Sequence, residues 1–138
     1  MLADALSANG VGSFVAESGQ RPQRAFLVNY PTAEGNVQAY LDLVAMRYGY
    51  ASAGHGQPWR PTADVMVRLV SVPGNRTLME NRIAYNVMNA PRGVITLAPT
   101  PDFTFSNREE MRTDPERLAN GLRAAFREVA ATAAGLMR

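Results

Sequence analysis

The chain of 138 residues has no cysteine, no lysine, one histidine and one tryptophan. Without thiols there are no disulfides, no thiolate metal sites and no cysteine nucleophile. A single histidine, His55, sits in "GHGQPW" with no acidic or histidine neighbour. That setting reads as a loop residue rather than a metal ligand or the base of an acyl-transfer triad. No apolar run approaches the roughly 18 residues of a membrane span, and Met1-Leu2-Ala3-Asp4 lacks the basic start of a signal peptide.

All fourteen basic residues are arginine, a bias expected of a GC-rich bacterial genome, and the net charge is only +2. The arginines are scattered from Arg21 to Arg138 with no dense run, so no nucleic-acid partner is expected. "GHGQ" has too few glycines for a phosphate loop, and no GK[ST] follows it. Glu109-Glu110 lie in "SNREEMRTDPE", a solvated charged stretch and not the buried setting that tunes a catalytic acid. Asn75-Arg76-Thr77 matches a glycosylation acceptor formally, but between two strand patterns it reads as turn chemistry. No catalytic residue, metal ligand or cofactor is therefore assigned.

What is present is a strand-and-helix pattern of one α+β domain, residues 1–138. Leu2 and Leu6 followed by Asn9-Gly10 read as a helix with a glycine C-cap. "VGSFVAES" is a short strand candidate, and "AFLVNYP" is apolar but undecided between strand and helix. Residues 37–54 favour a strand. Val37, Ala39, Leu41, Leu43 and Ala45 lie on one face, and Gln38, Tyr40, Asp42, Val44, Met46, Tyr48 and Tyr50 on a mixed one.

Residues 63–86 alternate in two runs about Pro73-Gly74, which suits the centre of a type II turn. This is a central antiparallel hairpin within a mixed, mostly antiparallel sheet. "RGVITLAP" is a further strand candidate. Asp114-Pro115 opens the clearest helix, with Leu118, Leu122, Phe126, Val129, Ala133 and Leu136 on one face. The N-terminal helix and this long C-terminal one are expected to cover one face of the sheet. Tyr48, Tyr50 and Trp59 form the one aromatic group of interest. They can cap the end of the core or offer a partner-binding surface.

The order of elements, with "YLDL", "YGY", Val67-Arg68-Leu69-Val70 and Gly74…Leu78, resembles small bacterial envelope lipoproteins. That group includes the amino-terminal domain of TolB, the outer-membrane activator lipoprotein LpoB and the curli-secretion lipoprotein CsgG. The resemblance implies a non-enzymatic periplasmic domain that binds other envelope proteins or itself. It implies outer-membrane anchoring through a lipid on a cysteine upstream of Met1, since this chain has none. Two alternatives stand beside it: a small ligand-binding or enzymatic α+β domain built around Tyr48, Tyr50 and Trp59, and a cytosolic subunit of an oligomer.

Overall fold

A computed structural model of the chain describes residues 1–16, 21–32 and 34–137. Its frame is a four-stranded sheet in the order β1-β2-β3-β4, from β1 (Ala39–Ser52), β2 (Trp59–Ser71), β3 (Thr77–Tyr85) and β4 (Ile95–Leu97). The first three strands form an antiparallel meander, and β4 runs parallel to β3. Among the described residues three α-helices accompany it: α1 (Leu2–Ala8), α2 (Arg108–Thr113) and α3 (Pro115–Gly135). The expected α+β architecture is present, with the hairpin at its centre and the long helix on one face.

The core lies between the sheet and α3. Ala63, Val65, Val67, Ile83 and Tyr85 from the strands meet Ala125, Val129 and Ala133 from the helix. Full burial of a side chain such as Val67 or Ile83 contributes about 1.5–3 kcal/mol. The most deeply buried residues of α3 include Gly121, Ala125, Val129 and Ala133, four apart. Leu118, Leu122, Phe126 and Leu136 are only half-buried. The helix is thus rotated from the orientation its large residues suggest. A stripe of small side chains lets its backbone approach the sheet, and the larger ones pack along its flanks.

Local chemistry sets the helix ends. Gly10, at φ +77°, closes α1; its N–H donates to Ser7 O at 3.0 Å while Val11 N–H reaches Leu6 O at 2.9 Å, the paired bonds of a Schellman motif. The Asp114 carboxylate caps α3 by accepting from Arg117 N–H at 3.1 Å. The charged stretch ahead of it is itself a short helix, α2. Asn107 Oδ1 accepts from Glu110 N–H at 2.8 Å, and the Glu110 carboxylate accepts from Ser106 N–H at 2.6 Å.

Several local expectations are corrected. The β2–β3 connection is not a simple type II turn. Asn75 N–H bonds to Ser71 O at 3.1 Å, one residue beyond the type II pattern. Gly74 and Asn75 both take positive φ, and the Val72–Pro73 peptide is cis. Residues 11–16 form no strand, and the end of that candidate lies outside the described residues. The "AFLVNYP" stretch is neither strand nor helix. It crosses the sheet face opposite α3, where Phe26 and Leu27 are buried.

The largest departure is a register shift in β1 between Ala45 and Arg47. An extra residue in one strand inverts the side-chain parity beyond it. Leu41 and Leu43 pair with Leu69 and Val67 and share the helix face with them. Past the shift, Tyr48 pairs with Ala63 and Tyr50 with Pro61, so both tyrosines cross to the helix side. Arg47 takes the opposite face, paired with Asp64.

Candidate functional site

The bulge, with the bridge between Trp59 and Phe105, gathers Tyr50 and Trp59 about Phe105 at one end of the core. Trp59 N–H donates to Phe105 O at 2.7 Å, and Phe105 N–H returns to Trp59 O at 2.9 Å. Phe105 is fully buried. Tyr50 meets it edge-on at 5.4 Å and donates its hydroxyl to Leu118 O of α3 at 2.8 Å. Burial pushes the Tyr50 phenol above its ordinary pKa, against the opposing pull of the Arg117 cation. Arg117 lies over the Phe105 ring at 4.5 Å and Arg108 over Trp59 at 4.9 Å. Tyr50 is thus half-buried against the start of α3, and Trp59 is half-buried beneath Arg108 at the start of α2. Tyr48 differs. Its side meets Phe126 edge-on at 5.7 Å, yet it remains 64% exposed.

Tyr48 stands on a strand with an open side. β1 is the edge of the sheet, and among the described residues its outer backbone meets no further strand. An edge of fourteen residues offers a row of backbone donors and acceptors to another extended chain.

The face away from α3 carries two buried carboxylates that the sequence analysis did not single out. Asp42 and Asp64 are 4% and 2% exposed. Asp42 fastens the covering segment to the sheet. Its Oδ2 accepts from Leu27 N–H at 2.9 Å and from the Tyr30 hydroxyl at 3.1 Å. Arg21 approaches Oδ1 at 2.6 Å without hydrogen-bond alignment, so that contact is Coulombic. Burial, and next the Asp42 charge, push the Tyr30 phenol up. Arg68, between Asp42 and Glu80 in the cross-strand register, pairs with Glu80 at 3.1 Å and lies over Phe26 at 4.1 Å.

Asp64 gathers arginines instead. Arg82 grips it through two bonds, Nε to Oδ1 at 2.7 Å and Nη2 to Oδ2 at 2.5 Å. Arg47 stands 3.5 Å from Oδ2. The Arg82 hydrogen bond holds the Asp64 carboxyl below the usual carboxylate range, and Asp64 in turn raises Arg82. Beside the pair is an open cavity of about 250 Å³ lined by Arg24, Met46, Arg47, Asp64, Met66 and Arg82. A smaller hollow of about 140 Å³ near the β1–β2 loop is lined by Ala51, Gln57, Pro58 and Arg60 among others, and by none of Tyr48, Tyr50 and Trp59.

The remaining candidates are placed simply. His55 is exposed in the β1–β2 loop. Glu110 serves the α2 cap, and Glu109 is exposed beside Arg112 at 3.5 Å. Among the described residues, no three His, Asp or Glu side chains gather as metal ligands, and no helix is long and apolar enough to cross a membrane. Compared with known protein families, curated proteins and solved structures, the chain shows no significant match.

Proposed function

We propose that this chain is a non-catalytic binding domain that recruits another protein of the bacterial cell envelope by adding an extended segment of that partner to the outer edge of β1. The observation that carries the reading is the open fourteen-residue edge. Backbone pairing along such an edge supplies affinity, and side chains beside it supply selection. Tyr48, projecting from that strand and largely exposed, is the contact residue; Tyr50 and Trp59 hold the sheet end in shape behind it. The resemblance of the VRLV…G…L hairpin to envelope lipoproteins supports a periplasmic setting with a lipid anchor upstream.

The test is capture from envelope extract on immobilised chain, with Ala45→Lys and Tyr48→Lys as edge-blocking variants. Both positions are exposed, and a lysine on an edge strand discourages pairing. The captured protein is then mixed with the full chain and amide exchange is measured. Slowed exchange along β1, together with loss of capture in the variants, supports the reading. Undiminished capture by both variants, or β1 exchange unchanged in the complex, refutes it.

A further inference from the structure

The cavity beside Asp64 holds more positive charge than the fold needs. Three arginines and a single acidic residue line it, and that carboxylate is already gripped in bidentate fashion by Arg82. Arg82 Nη1 has no hydrogen bond to a described residue. Arg47 adds only a 3.5 Å contact and leaves its side chain 71% exposed. Arg24 makes no ion pair among the described residues. Its backbone takes φ +53°, an uncommon state for a side chain of this kind, and the residue lines the cavity from the segment crossing the sheet. The site therefore carries two uncompensated positive charges. A structural ion pair alone requires one arginine.

The other two lining residues are Met46, the extra residue of the bulge itself, and Met66, which pairs with Val44 just before it. They give an apolar, adaptable floor next to the arginines. Arginine forks suit carboxylate and phosphate oxygens, and a thioether floor suits a short hydrocarbon arm. Asp64 sets the plane of the Arg82 guanidinium in advance, which lowers the ordering cost of binding.

We propose that the Arg24, Arg47 and Arg82 pocket binds a small molecule with one anionic head, carboxylate or phosphate, whose short apolar arm lies on Met46 and Met66. The site is on the opposite face from Tyr48 and does not depend on how the β1 edge is used.

The experiment is amide chemical-shift titration of the full chain with butyrate, monobutyl phosphate, inorganic phosphate and butylamine. Saturating shifts at residues 24, 46–47, 64–66 and 82 are expected with butyrate or monobutyl phosphate, and the tighter of the two names the head group. Butylamine, with the same arm and opposite charge, should give none. Arg24→Gln and Arg47→Gln leave the Arg82–Asp64 pair intact; each should weaken binding about tenfold, the loss of one charge-assisted hydrogen bond. Arg92→Gln, exposed in the loop before β4, should change nothing. No saturating response to either anion, an equal response to butylamine, or undiminished binding in the Arg24/Arg47 double variant overturns the proposal. Equal binding of inorganic phosphate overturns the role given to the two methionines.

Discussion

Gly121 sits inside α3, where intrinsic helix propensity alone says that alanine should be better by about 0.8–1 kcal/mol. The packing says the reverse. A Cβ on Gly121 would stand 2.0 Å from the Tyr50 hydroxyl oxygen and 2.9 Å from Phe103 Cβ. To make room, Tyr50 must swing away, losing its bond to Leu118 O, worth about 1 kcal/mol, and its edge contact with Phe105, worth about 0.5–1.5 kcal/mol. The displacement near Phe103 adds an overpacking cost of about 1–3 kcal/mol. After the propensity gain is subtracted, Gly121→Ala should destabilise the chain by about 1.5–4.5 kcal/mol. Urea unfolding followed by circular dichroism measures this, provided the slope of the transition is unchanged. Tyr50→Phe is the decisive companion. In the wild-type background it costs about 1 kcal/mol, but in the alanine background it removes the atom that clashes. The double variant should therefore be more stable than the sum of the two single losses implies, by about 1 kcal/mol or more. A stabilising Gly121→Ala, or additivity within about 0.5 kcal/mol, would refute this account of the α3–sheet approach.

Three further outcomes are expected. Asp64 has a folded-state pKa below its ordinary value, so its stabilisation is present above about pH 4 and is lost as pH falls through the lower folded value. Asp64→Asn should flatten that acid part of the stability curve in urea melts from pH 7 down to pH 3, and a variant curve parallel to wild type would count against it. Phe126 is only half-buried beside Tyr48, so Phe126→Ala should cost about 2 kcal/mol rather than the 3–5 kcal/mol of an enclosed ring; a larger loss in a thermal melt would place the ring in the core. Asn86 combines φ +53° with a side-chain bond to Pro61 O at 3.2 Å, so Asn86→Ala should cost about 1–3 kcal/mol, while Asn86→Gly should recover the backbone share in the same assay.

The fold was legible wherever burial imposed a period. Val65, Val67 and Leu69 alternate because one face of β2 meets α3, and the Asp114-Pro115 start of that helix is written in its cap. The six-residue α2 also had a local signal, Asn107 followed three residues later by Glu110, hidden among charges that read as solvated. Residues 25–31 had none. Their order comes from Asp42, fifteen positions beyond Leu27, and no local rule foresees a backbone N–H that bonds to a distant carboxylate. The bulge in "AMR" was equally silent, since none of the three residues demands it. Yet it decides where Tyr48, Tyr50 and Arg47 project, and a one-residue error in parity moved both tyrosines to the wrong face.

The two carboxylates show how far a sequence reaches toward a site. Asp is depleted in strands, and "YLDLV" and "TADVMV" each place one between apolar neighbours. Such a residue must find a counter-charge or be neutralised when the sheet is covered. The alternation of β3 already put Glu80 and Arg82 on one face, and the hairpin register sets Arg82 opposite Met66, one same-face step from Asp64. That pairing is therefore close to readable. Its consequence is not, because Arg47 reaches Asp64 only through the bulge and Arg24 lines the cavity only through a segment with no regular structure. The excess of charge that distinguishes a binding pocket from a structural ion pair arises from those two additions. It can be seen only once the third dimension has brought residues 24, 47, 64 and 82 to one place.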